Sequence, residues 1–290
     1  MKKGWITFIA LMSVINGTAV SSAALVSISG PRPFKVYVSS RYNPAIPEPL
    51  IISIAGLTQS GAVYEKYTKL TPFAQADGFL FVSPDGMVNS HGVTFWSATP
   101  ECCDFEHSGV NDDAYIMKII NDVSSRYSVD PNRIYVIGHS NGGFMANVVA
   151  CKNADRVAAI VDFSGGTYTT QAACKPSRPI SVLEIWGTKD QTYYGSNLGG
   201  KAIPGALQVF NTWGSLNHCT GGSVTLPKKI NLLASAPTLD ATVMKFKGCP
   251  ASVGVEFWSA EGAIHAPPVT PTFNRLIIAW LLAHPKISRH

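Results

Sequence analysis

With 290 residues, of which 46% are apolar and 14% charged, the chain carries enough apolar material for one large core and too little charge for a disordered solvating tract. The formal charge of +5 is scattered except at Lys2-Lys3 and Lys228-Lys229, which excludes the basic stripe of a nucleic-acid binder. No repeat, low-complexity run or polar linker divides the chain, so one catalytic domain is expected over residues 25–290.

In chain order, Lys2 and Lys3 precede an apolar stretch from Trp5 to Ile15 and a small-residue stretch ending Ser21-Ser22-Ala23-Ala24. This is the pattern of a cleavable secretory signal, expected over residues 1–24, and it predicts export to the periplasm or the medium. No other segment has the length of a membrane span, so no membrane partner is expected. Apolar runs then predict strands at Phe34 to Val38, Leu50 to Ile54, Phe79 to Ser83, Ile134 to Ile137, Ala158 to Phe163, Val182 to Trp186 and Val255 to Trp258. Helical spacing of apolar residues predicts helices over Glu65 to Ala76, Asp112 to Tyr127, Gly142 to Cys151, Ala206 to Leu216 and Phe273 to Ala283. Strands alternating with helices imply an α/β fold, a mostly parallel central sheet with helices on both faces.

Six cysteines in an exported chain point to disulfides, and none of their spacings makes a paired C-x-x-C zinc site. Cys151 with Cys174 and Cys219 with Cys249 are plausible local staples. Cys102 and Cys103 remain, either as a vicinal bridge or joined to the others; the sequence does not choose.

The chemistry begins at Gly138-His139-Ser140-Asn141-Gly142, where a β-branched strand breaks at a serine and continues as a helix. A serine hydroxyl becomes nucleophilic only where a base reaches it and N–H groups face the oxyanion that its attack creates. The glycines permit a tight turn with Ser140 at its tip, the G-x-S-x-G elbow of the α/β-hydrolase fold. In that fold the acid and then the histidine follow the serine in the chain, and Asp190 and His265 do so, each just past a predicted strand. His218 is the rival base; Asp162, Asp240 and Glu261 are the rival acids. His139 is expected to point away from the elbow. The oxyanion donors are predicted to be the N–H of Asn141 and that of Leu57, with Thr58 second. No metal or organic cofactor is called for.

Gly56-Leu57-Thr58-Gln59, Pro84-Asp85-Gly86, Trp96 with Cys102-Cys103, Gly109-Val110-Asn111-Asp112-Asp113, Tyr127 to Tyr135, the Ser-Asn-Gly-Gly elbow, Gly187-Thr188-Lys189-Asp190 and Trp213 ahead of Cys219 run through nearly the whole chain after the leader. In these motifs the chain resembles the secreted polyhydroxybutyrate depolymerase and feruloyl esterase-like group of α/β-hydrolases, related to carbohydrate esterase family one. The resemblance implies a Ser140, Asp190, His265 triad and a secreted serine esterase acting on hydroxyalkanoate esters, polyhydroxybutyrate or its oligomers first. Feruloyl or acetylxylan esterase activity on plant polysaccharide is the alternative. The chain departs from the group at Ala55, where the group has histidine, and at Ala266-Pro267-Pro268, where a tryptophan is usual. Asp112 and Asp113 match the group but read as helix-capping residues.

Trp96, Tyr193 and Trp213, with Phe144 and Tyr194, are candidates for an aromatic substrate cleft, each equally readable as packing. A reading of another class is a secreted binding protein that keeps the elbow without turnover, which Ala55 would favour. Nothing in the sequence speaks to the oligomeric state.

Overall fold

The computed structural model describes residues 22–198, 200–235, 240–250 and 252–287. The expected signal over residues 1–24 lies outside these except for its last three residues. The strands are β1 (Ala24–Ile28), β2 (Phe34–Val38), β3 (Glu48–Ile54), β4 (Leu80–Val82), β5 (Met87–Val88), β6 (Thr94–Phe95), β7 (Val129–His139), β8 (Ala159–Phe163), β9 (Ser181–Gly187), β10 (Ser196–Leu198), β11 (Lys201–Ile203), β12 (Ser223–Thr225), β13 (Ala241–Phe246) and β14 (Val255–Ala260). The helices are α1 (Gly61–Thr68), α2 (Thr71–Asp77), α3 (Asp112–Ser124), α4 (Asn141–Lys152), α5 (Ala206–Leu216) and α6 (Pro271–Leu282).

Ten strands form one sheet in the order β1-β2-β4-β3-β7-β8-β9-β14-β13-β12. From β4 to β14 every neighbouring pair is parallel, and the edges are finished by antiparallel strands. The central strands are buried on both faces, which is why they read as unbroken apolar runs. Alternation along each strand still sorts side chains by face. Leu50, Ile52, Val136 and Val182 meet Ile116 of α3, Met145 of α4 and Phe210 of α5 on one side. Ile51, Ile137, Leu183 and Ile185 meet Ala74 of α2 and Phe273 and Ile277 of α6 on the other.

The sequence missed β1 and β12, the two short edge strands, and β13 next to one of them, in which polar residues alternate with apolar ones. The single helix expected over Glu65 to Ala76 is two. Lys69 turns into the left-handed region at φ 52°, and Pro72 opens the second helix, where its missing N–H costs nothing. The Glu65 carboxylate accepts from the N–H groups of Leu70 (3.3 Å) and Thr71 (2.7 Å) and so fastens the junction. Three disulfides join Cys151 to Cys174, Cys219 to Cys249 and Cys102 to Cys103, the last across a cis peptide bond.

Candidate active site

β7 runs buried to His139, and Ser140 then turns the chain at φ 55°, ψ −120° before α4 begins. For a residue with a Cβ this conformation costs about 1–3 kcal/mol, and its surroundings must impose it. They do so by close approach: a Cβ at Gly138 would collide with the Gly142 carbonyl, and one at Gly142 with the carbonyls of Ile54 and Ala55. Ala55 is itself fully buried there. The Ser140 N–H is held by the Phe163 carbonyl at 2.9 Å, leaving the hydroxyl at the tip.

The structure brings Ser140, His265 and Asp190 together. His265 Nε2 lies 2.9 Å from Ser140 Oγ and its Nδ1 lies 2.8 Å from Asp190 Oδ2. The histidine side chain keeps 35% of its surface exposed, whereas the carboxylate has none. Burial alone would raise the Asp190 pKa. The hydrogen bond from His265, with the N–H (2.9 Å) and hydroxyl (2.8 Å) of Thr192 on its other oxygen, outweighs burial and holds the group below the usual carboxylate range. Thr192 went unnoticed in the sequence; its signal is the turn Asp190-Gln191-Thr192, in which an aspartate accepts from the residue two positions on.

Asn141 is the first residue of α4, where its N–H has no intrahelical acceptor. Its amide side chain is locked to the Trp96 backbone in both directions, accepting from N at 2.8 Å and donating to O at 2.9 Å. The alternative donor Thr58 is ruled out, because its N–H is spent on the Thr94 carbonyl at 2.8 Å; among the described residues no acceptor takes the N–H of Leu57. The loop stays close to the elbow because residue 56 is glycine: a Cβ there would stand 3.3 Å from the Ser140 Cβ.

The rivals are occupied elsewhere. His218 is exposed in the turn after α5, and exposed Glu261 accepts from Thr188 at 3.4 Å. Asp240 accepts from the N–H groups of Leu232 and Leu233 at 3.0 Å each. Asp162 lies on the opposite face of the sheet from His139, with its carboxylate accepting from Asn147 of α4 at 2.7 Å. It pairs in register with Glu184 on β9, and both are fully buried. Burial pushes both carboxyl groups upward, and the Asp162 charge beside it raises Glu184 further.

The substrate-cleft expectation needs correcting. Trp96 and Trp213 are fully buried and offer no surface to a ligand. Trp213 sits on the buried face of α5, donating from Nε1 to Asn147 Oδ1 at 2.7 Å. Trp96 serves through its backbone, by clasping Asn141. Phe144 is likewise buried, beside Cys102, Cys103 and Ile203 with Leu57 packed against them. Tyr193 is half-buried with its hydroxyl 3.0 Å from Ser259 Oγ, and Tyr194 is 88% exposed. Asp112 does more than favour a helix start: Asn111 is the cap, while buried Asp112 pairs with Arg32 and accepts from the Ser97 N–H at 2.7 Å. Arg32 in turn lies 3.7 Å from the Tyr115 ring centre. Among the described residues no cluster of His, Cys, Asp or Glu could hold a metal ion.

A parallel sheet flanked by helices, with a serine at a strained strand-to-helix elbow and the acid and histidine on later loops, is the α/β-hydrolase fold. Residues 72–198 match the model of the prolyl oligopeptidase family. The chain is 31% identical over 183 residues to feruloyl esterase B of Piromyces equi, covering 60% of this chain and 33% of that protein. It is 25% identical over 181 residues to acetylxylan esterase A of Emericella nidulans, covering 58% and 57% respectively. The chain spans from about a third to somewhat over half the length of the curated relatives it matches. Among solved structures, an acetyl xylan esterase from Aspergillus awamori superposes with a TM-score of 0.63 at 14% identity, over 90% of this chain and 99% of that one.

Proposed function

We propose that this chain is an exported serine carboxylic-ester hydrolase acting on acylated plant polysaccharide, as a feruloyl or acetylxylan esterase. The observation that carries the chemistry is the single histidine within hydrogen-bond reach of both Ser140 (2.9 Å) and a buried carboxylate (2.8 Å). In this reading His265 Nε2 takes the Ser140 proton as the oxygen attacks the ester carbonyl. The N–H groups of Asn141 and Leu57 receive the oxyanion, and Asp190 stabilises the imidazolium. Collapse of the tetrahedral adduct breaks the bond to the alcohol, which leaves with the proton from His265. Water then repeats the sequence on the acyl-enzyme, giving the free acid and restoring Ser140.

The choice of acyl group rests on relatives that are feruloyl and acetylxylan esterases. They support the polysaccharide reading over the hydroxyalkanoate reading, which came first from the motifs alone. Three disulfides fit an oxidising compartment. The test is turnover of methyl ferulate, acetylated xylan and hydroxybutyrate trimer by wild type and Ser140→Ala. Loss of ester cleavage in a folded Ser140→Ala protein is expected; an unchanged rate would overturn the assignment. Release of hydroxybutyrate alone would return the substrate to the polyester class.

A further inference from the structure

The loop that carries His265 is poor in backbone fastenings of its own. Pro267 and Pro268 have no N–H to give, and no hydrogen bond from the N–H of His265 or Ala266 is formed with the described residues. Up to Ala263 the segment is knitted to the loop of Asp190, through Lys189 N–H to Ala263 O (2.9 Å) and Gly262 N–H to Thr188 Oγ1 (2.8 Å). The next backbone fastenings are at Pro268, whose carbonyl accepts from the Ala234 N–H at 2.9 Å, and at Thr270, whose N–H donates to the Leu232 carbonyl at 3.1 Å; between these and Ala263 the backbone is held by side chains. His139 Nε2 lies 3.0 Å from the carbonyl of His265, and Tyr67 Oη of α1 donates to the carbonyl of Pro267 at 2.7 Å.

A carbonyl only accepts, so His139 must carry its proton on Nε2. Its other nitrogen, Nδ1, is buried and unpartnered among the described residues. The ring is 4% exposed, 6.0 Å from Tyr64 in a stacked arrangement, 5.0 Å from Phe163 and 5.2 Å from His265. Burial pushes its pKa down to about 4, so the ring is neutral at neutral pH. That neutrality matters to its neighbour, because a cation 5.2 Å away would oppose the imidazolium that forms on His265 during attack. Burial also raises the Tyr67 pKa, which keeps its hydroxyl a donor.

We propose that His139 and Tyr67 are positioning residues, a two-point clamp that holds the backbone of the His265 loop so that the imidazole stays in register with Ser140. The residue that precedes the nucleophile in the chain grips the residue that activates it. The distance between nucleophile and base is thereby set through one side chain rather than through the sheet. The clamp rests on the reading of His265 as the base, and it makes the chemical step, not substrate binding, sensitive to two residues that touch neither substrate nor the reacting atoms.

The test compares wild type, Tyr67→Phe, His139→Phe, His139→Gln and Ser140→Ala. Two rates are read: hydrolysis of p-nitrophenyl acetate, and labelling of Ser140 by a fluorophosphonate, in which the serine oxygen bonds phosphorus and fluoride leaves. Loss of a positioning contact predicts kcat and labelling lower by roughly 10–100-fold in His139→Phe. For Tyr67→Phe, which removes one oxygen and conserves the ring, the expected loss is about fivefold. KM should stay within about twofold in both. His139→Gln, which keeps an N–H at the end of a flat group, should recover to within about threefold of wild type. A lowered melting temperature with kcat and labelling unchanged in Tyr67→Phe and His139→Phe would overturn the clamp and leave a structural role. Should His139→Phe fail to fold, Tyr67→Phe decides alone. Ser140→Ala labelling as fast as wild type would instead remove the triad reading, a result distinct from failure of the clamp.

Discussion

Asp162 and Asp190 sit on neighbouring strands, Asp162 within β8 and Asp190 just past β9, and both are nearly or fully buried. Their pKa shifts are opposite in direction. Asp190 meets an imidazole and the two donors of Thr192, and its pKa is held low. Asp162 pairs in register with Glu184 and accepts from Asn147 at 2.7 Å, but burial outweighs that hydrogen bond and its pKa is raised. Burial raises both carboxyl groups; at Asp190 the donors overcome it and at Asp162 they do not. What separates them is the balance between burial and the donors that each carboxylate meets.

Breaking the first site should have the largest effect. Asp190→Asn leaves the geometry but reverses the hydrogen bond that sets the His265 tautomer, and kcat for ester hydrolysis is expected to fall by about 10⁴-fold with little change in stability. An unchanged kcat would mean that another acid serves. On the second site the effects move from rate to stability. Trp213→Phe strands Asn147 Oδ1, whose partner is the indole N–H at 2.7 Å, and leaves a gap beside the Asp162 pair. Urea unfolding should show a loss of about 2 kcal/mol while kcat stays within about twofold.

The smallest effect is a slope. Both carboxyl groups hold their protons to higher pH in the folded protein than in the unfolded chain, so the pair's contribution is complete at low pH and is lost as pH rises through the raised values, about 7 for Asp162. One such proton gives at most about 1.4 kcal/mol per pH unit. Glu184→Gln should flatten the fall in unfolding free energy between about pH 4 and 7, read from urea curves at each pH. An identical slope in the variant would show that Glu184 takes up no proton on folding.

Much of the site was legible before any fold was known, because its chemistry is written in local words. Ser140 sits between glycines that only a tight turn requires, and Asp190 and His265 each follow a buried strand in the order the fold demands. Helix and strand positions came from periodicity, and Ala206–Leu216 and Phe34–Val38 have the expected bounds. The failures are equally physical. Aromatic residues signal burial and binding alike, so Trp96 and Trp213 read as a cleft although both pack inside. Edge strands such as Ala24–Ile28 carry weak patterns because alternate residues face solvent.

His139 shows the limit most clearly. In the sequence it is the variable position of an elbow; in the fold its ring spans from β7 to the carbonyl of a residue 126 positions further on. By itself the sequence determined the α/β alternation, the elbow and the order of serine, acid and histidine, since turn geometry and apolar period act between near neighbours. Only the tertiary structure decided which acid meets the histidine, which N–H groups are left free and what holds the histidine loop. Those are set by partners distant in the chain that meet through packing.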